Sequence, residues 1–174
     1  MNQRTFIPLS LRPHWMQLII SQMPYILLCL AVYVGAAIPF YCWASGLTAT
    51  ILYVVNLCLL YIGLALTCYL LYKVLYFSRM EYVITGDQII FLHGVVNHST
   101  DYMELYRVID YQQHRSLLQQ MCKLKTVVIY SGDRNMPVMN IIGIREQVNV
   151  VAEIRNRVEF NKKLKHIYEI TNRP

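Results

Sequence analysis

The residues able to do chemistry are few and poorly placed for it. Five histidines, His14, His93, His98, His114 and His166, are scattered along the chain. None falls in an H-x-x-x-H or H-E-x-x-H pattern, which would set two imidazoles on one helix face around a zinc ion, and none stands at zinc spacing from Cys122. His93 and His98 flank a turn, so a shared metal is conceivable, but solvated loop histidines are the simpler reading. Asp110, His114 and Ser116 are the residue types of a hydrolytic triad. On one strand and its trailing turn they would point in different directions, and no nucleophile-elbow sequence accompanies the serine. Gly132 and Gly143 stand alone, so no glycine-rich loop exists to cradle a phosphate. Five cysteines (Cys29, Cys42, Cys58, Cys68, Cys122) give an odd count and no C-x-x-C, as expected of free thiols in a reducing compartment. The expectation is a protein that is not an enzyme and holds no metal or cofactor.

The elements that would position these residues follow from where the charge lies. The 174 residues are 56% hydrophobic and only 15% charged, with mean hydropathy +0.35. Soluble chains carry about a quarter charged residues, so the balance already points to a membrane. All ten acidic residues lie after position 80, and Pro13 to Tyr72 contains no Asp, Glu, Lys or Arg. A bilayer core about 30 Å thick needs roughly 20 helical residues to cross. This segment therefore holds two spans, from about Leu18 to Pro39 and from about Thr48 to Tyr72. Phe40, Tyr41, Cys42, Trp43, Ala44, Ser45 and Gly46 form the turn between them. Trp15 before the first span, and Tyr72, Tyr76 and Phe77 after the second, form an aromatic belt at the opposite surface. Pro24 and Pro39 would kink or bound the first helix.

Arg4, Arg12, Lys73 and Arg79 flank the pair of spans and the turn carries no cation, so the positive-inside rule sets both termini in the cytoplasm. A signal peptide cleaved near Ala36 or Ala37 is the rival, but its apolar stretch would be too long and a second span follows at once. The spans carry no ionisable centre of the kind transporters use. Small residues recur at four-residue spacing, Ala31 with Gly35 and Gly63 with Thr67, and Asn56 could hydrogen-bond across an interface. They would pack either the two helices of one hairpin or several copies together.

From Met80 the pattern changes to short β-type runs. Glu81–Thr85 and Gln88–His93 flank Gly86-Asp87, a hairpin signal. Tyr102–His114 reads as one bent strand or two, and Ser116–Leu124 as a turn or two of helix with Leu117, Leu118, Met121 and Cys122 at helical spacing. Thr126–Tyr130 and Met136–Ile142 are strands around the turn Ser131–Asn135, with Pro137 favouring an edge. A last helix from about Arg145 sets Val148, Val151, Ile154 and Val158 on one face. The joint at Phe77–Met80 is too short for a flexible linker. The organisation expected is therefore a segment 1–14, a transmembrane hairpin 15–79 and a soluble domain 80–174.

Taken in order, these pieces resemble the bacterial membrane-anchored PH-like proteins. The matching pieces are Tyr82-x-Ile84-Thr85, Ile89 to Gly94, Leu105-x-Arg107-Val108, Ser116-x-Leu118-Gln119 before Thr126–Ile129, and Gly143-Ile144 leading into the helix. Gln120 stands where the family tends to have Arg, Lys123 where it tends to have Gly, and Glu104 where Pro is common. The resemblance implies a two-helix hairpin plus an α+β PH-like domain, two small antiparallel sheets capped by a C-terminal helix. That fold hosts lipid binding, peptide binding and scaffolding alike.

The tail carries the remaining signal. Phe160, Leu164 and Ile167 fall on the side of the helix opposite the capping face, interleaved with Lys162, Lys163 and Lys165. With Arg155 and Arg157 they form the one basic cluster of the soluble part, whose twelve Lys and Arg against ten Asp and Glu are too balanced for nucleic acid. A solvated helix face, anionic headgroups or an acidic protein surface would each suit it. The function expected is a non-catalytic PH-like scaffold in a bacterial inner-membrane or envelope assembly. Its partners would be the bilayer, further copies or other membrane proteins, and the alternative is a sensor of anionic lipids. Topology is tested by labelling intact cells with an impermeant thiol reagent in a background lacking Cys42. Ser45→Cys should label, and a cysteine at position 174 should not; the reverse result would overturn the orientation.

Overall fold

The uncharged half of the chain folds as two helices, the form in which a single segment satisfies its own backbone hydrogen bonds. They are α1, Trp15–Ala37, and α2, Leu47–Ser78. The computed structural model describes residues 6–38 and 45–165. The chain divides into two units, Leu18–Leu75 and a second made of Met1–Gln17 with Tyr76–Pro174. Both helices are long and apolar enough to cross a membrane. α1 carries Pro24 inside it, and α2 runs six residues beyond the expected end at Tyr72. The Lys73 ammonium lies over the Tyr69 ring, 5.5 Å from its centroid, so one cation is accommodated within the helix. Pro39 and the turn residues Phe40 to Ala44 lie outside the described residues.

The second unit holds two antiparallel sheets. The first has the order β1 (Leu9–Leu11), β2 (Glu81–Ile84), β3 (Gln88–His93), β4 (Ser99–Glu104). A 3-10 turn at Leu105–Arg107 leads into the second, β5 (Val108–His114), β6 (Leu124–Ser131), β7 (Val138–Arg145). A short helix, α3 (Leu117–Met121), links β5 to β6, and α4 (Val150–Leu164) follows β7. This is the architecture the resemblance implies, with one addition. Leu9, Ser10 and Leu11 pair with Ile84, Val83 and Tyr82, so part of the segment set apart as 1–14 is a strand of the first sheet.

Alternation along the strands builds one core: Tyr82 and Ile84 with Ile89, Met103 and Leu105 from the first sheet, Val127, Ile129, Met139 and Ile141 from the second. Val150, Ile154 and Val158 close it. The helix was expected from about Arg145 with Val148 on its inner face. Instead β7 continues to Arg145, Asn149 caps the helix by accepting from the Ala152 amide, and Val148 is exposed. Val150 takes the core position, while Val151 is half-buried beside it.

The Tyr82 hydroxyl donates to the Asn140 carbonyl at 2.9 Å, and burial first of all raises its pKa above the ordinary 10.0. The unfolded chain releases that proton near pH 10 while the folded chain keeps it, so this group withdraws stability as pH rises past 10. Ile154 is fully buried and Asn156 exposed. Ile154→Ala should therefore cost about 2–5 kcal/mol in denaturant unfolding and Asn156→Ala close to nothing. Equal mild effects would mean that α4 does not close the core.

Candidate functional site

The basic helix is the first candidate, and its cations are largely engaged within the fold. Arg157 is 2% exposed. Its Nη1 donates to the carbonyls of Ile84 and Thr85 at 2.7 and 2.8 Å, and its Nη2 to that of Ile7 at 2.8 Å. Nε and Nη2 also donate to Glu153, one turn back. Arg155 pairs with Glu159 at 3.1 Å on the surface. Lys165 sits 3.5 Å from the centroid of the Tyr106 ring. Lys162 is half-buried, and Lys163 is exposed.

The apolar residues of the tail divide in the same way. Phe160 meets Phe6 edge to face with ring centroids 5.3 Å apart, so the N-terminal segment covers the residue expected to lie open. Leu164 is 48% exposed at the end of α4. Ile167 lies outside the described residues. Nothing in the sequence pairs Phe6 with Phe160. Leu9-Ser10-Leu11 is a strand of three residues, too short for alternation to announce it.

In the hairpin the small residues also separate. A Cβ on Gly63 would lie 3.1 Å from the Tyr33 ring, and the Tyr33 and Thr67 hydroxyls are 3.0 Å apart. Thr67 also lies 3.7 Å from Cys29 Sγ, and Asn56 Nδ2 donates to the Ala36 carbonyl at 2.8 Å. Gly63, Thr67 and Asn56 therefore hold α1 to α2 through Cys29, Tyr33 and Ala36. Ala31 and Gly35 lie about 200° round α1 from Cys29 and Tyr33, at roughly 100° per residue. A Cβ on Gly35 would meet nothing within 4 Å.

The polar cleft of the sheet unit has a volume of about 410 Å³ and is lined by Arg12, Arg79, Glu81, His93, His98 and Thr100, among others. Arg12 is paired with Glu81 at 3.0 Å. His93 Nε2 lies 3.0 Å from Asp101 Oδ2, and its Nδ1 lies 3.2 Å from the Tyr76 hydroxyl. The ring is spanned by these two neighbours and stacked on Phe91, which fixes its orientation. His98 shares the cleft, yet no group of three metal-ligating side chains occurs among the described residues. Asp110, the third residue of β5, and His114, its last, lie about 13 Å apart along the strand. The Ser116 hydroxyl accepts from the Gln119 amide as the cap of α3. These three residues do not converge.

Two apolar helices of membrane-crossing length, followed by two sheets and a closing helix, define a PH-like module carried on a hydrophobic hairpin. The chain belongs to the bacterial PH domain family, whose match extends over residues 25–170. No curated protein and no solved structure matches it. Domains of this kind are generally non-catalytic interaction modules.

The division among the cations is measurable. Arg157→Ala leaves the buried Ile84 carbonyl, the part-buried carbonyls of Thr85 and Ile7, and Glu153 without their donor and should cost about 3 kcal/mol or more. Arg155→Ala should change stability by less than about 0.5 kcal/mol. Comparable small losses from both, in thermal or denaturant unfolding, would show that Arg157 is a surface charge.

Proposed function

We propose that the protein is a non-catalytic interaction subunit, fixed in a bacterial inner membrane by its hairpin, with both termini in the cytoplasm. Strand pairing supports the shared side. β1 precedes the first span and β2 follows the second, yet they lie in one sheet, and a folded sheet cannot straddle a bilayer. The observation that carries the assembly reading is the division of the small residues. Gly63, Thr67 and Asn56 are used inside the hairpin, whereas Ala31 and Gly35 lie on the far face of α1, where Gly35 has open space above it. In lipid, helices associate by close packing over such small residues, because the hydrophobic effect gives no drive there. That face is open to a second copy or another membrane helix. Leu164, with Lys163 beside it, offers a further contact from the soluble side.

The lipid-sensor reading draws on the same basic helix. It has less support, because Arg157 is buried, Arg155 is paired and Lys165 lies on an aromatic ring. The test is the mass of the reconstituted full-length protein, with any co-purifying chains, measured in nanodiscs. Gly35→Leu should release partners or lower the mass to a single chain without loss of helix content. Gly63→Leu should disturb the hairpin itself by colliding with Tyr33. A wild-type protein that is a lone chain, with Gly35→Leu unchanged and strong binding to anionic but not neutral liposomes, would favour the sensor instead.

A further inference from the structure

α3 is built inside out. Its polar residue Gln119 is 4% exposed, whereas Leu117, Leu118 and Met121 are 79, 42 and 81% exposed. A surface helix of a soluble domain turns its leucines inward. Here the inward position is held by Gln119 through a full set of hydrogen bonds. Its side-chain oxygen accepts from the Ser116 amide, and its Nε2 donates to Gln17 Oε1 and to Thr126 Oγ1, all at 2.9 Å. A buried carboxamide satisfied in this way cannot exchange places with a leucine without orphaning those partners. The three large apolar side chains are therefore held outward.

Gln17 tells what they face. It is the residue before Leu18, where the first span is expected to begin within the uncharged run from Pro13. The turn that carries it is tied to β7, because the His14 amide donates to the Gly143 carbonyl at 2.9 Å. The approach is so close that a Cβ on Gly143, which has φ +65°, would come within 2.6 Å of Gln17 Cβ. Trp15, in the same turn, is 60% exposed, and tryptophan settles at the headgroup level of bilayers. α3 is thus bonded directly to the residue at the entry of a span. Beside it lies a cleft of about 550 Å³ lined by His14, Met16, Lys123, Arg145 and Glu146 among others. Arg115 pairs with Glu146, and Arg145 Nη2 lies 3.3 Å from His14 Nε2. Lys123 and Arg145 line the cleft against one carboxylate, Glu146, which Arg115 already pairs from outside the lining, and this excess of positive charge suits anionic headgroups.

The geometry points to α3 as an interfacial anchor: Leu117, Leu118 and Met121 insert among the headgroups and upper acyl chains of the bilayer beside Trp15. This rests on the membrane-anchored reading above and adds a contact between the sheet domain and lipid. The contact fixes how the domain is held at the surface. Small apolar groups ringed by cations bind such a boundary by buried area and charge together.

The test uses the full-length chain with Trp15→Phe and Trp43→Phe, reconstituted in vesicles of phosphatidylethanolamine and phosphatidylglycerol with or without brominated acyl chains. Single tryptophans are introduced as Leu117→Trp, Met121→Trp, Asn135→Trp in an exposed turn, and Tyr61→Trp within α2. Leu117→Trp and Met121→Trp should emit to the blue of Asn135→Trp. In brominated vesicles they should lose a share of emission closer to that of Tyr61→Trp, and they should resist aqueous iodide. If Tyr61→Trp is quenched by bromine while both α3 variants behave like Asn135→Trp, the anchor is overturned and the spanning helices stand. If Tyr61→Trp itself escapes bromine, the membrane reading falls and the anchor with it.

Discussion

The sheet unit depends on one guanidinium. Arg157 reaches from α4 to the carbonyls of Ile84 and Thr85 at the end of β2, and to that of Ile7 in the N-terminal segment. Its carbon lies 5.2 Å from the Phe6 ring centroid, and Phe6 in turn covers Phe160. A planar fork of five donors suits this task, since a lysine ammonium has only three donors for the five contacts that Arg157 makes. Asn161, one turn further along, repeats the device by donating to the Gly86 carbonyl at 2.6 Å. Strand ends and the turn between β2 and β3 leave carbonyls unpaired, and these two polar side chains of the helix satisfy them. The helix thus closes the core with Val150, Ile154 and Val158 and finishes the sheet's hydrogen bonding with its polar residues.

A second tie of the same kind operates around α3. Gln119, Gln17 and Thr126 share one carboxamide network, and Gly143 gives up its side chain so that the turn at Gln17 can approach β7. Residues before and after the hairpin are therefore integral to the domain rather than linkers to it. Arg12 with Glu81, and β1 with β2, make the same connection. The hairpin is inserted into the domain's own chain path, at a point where two sheet strands come together.

The hairpin, the strands β2, β3 and β6 and the existence of the closing helix α4 were legible because each rests on periodicity: sixty residues without charge, alternation along the strands, and a helical stripe at Ile154 and Val158. What was not legible rests on pairings distant in sequence. Arg157 reads as one of a run of cations, and only a carbonyl contributed 150 residues away reveals it as a buried donor. Phe160 reads as an unused apolar residue, and Phe6 covers it. Leu117, Leu118 and Met121 show only helical spacing, and which way they face is set by Gln119 through its distant partners Gln17 and Thr126. Lys123 could be read in part. It stands where the family tends toward Gly, and its φ of +53° shows the left-handed turn that this preference serves, at a cost of about 1 kcal/mol for a side chain there.

The weak faces left over are better matched to a membrane than to free solution. Ala31 and Gly35 present little area, and Leu164 is a single side chain at a helix end. In water neither would offset the translational and rotational cost of association, which is about 4–15 kcal/mol. Chains held in one bilayer by hairpins of the same orientation have already given up most of that freedom, and the effective concentration of one for another rises accordingly. A modest packing face then suffices for assembly. On the proposed reading the same confinement would make a few apolar side chains on α3 effective, because spanning helices would keep them within reach of the interface. Anchoring of the proposed kind would turn contacts that are negligible in a soluble domain into ones able to set orientation and partnership.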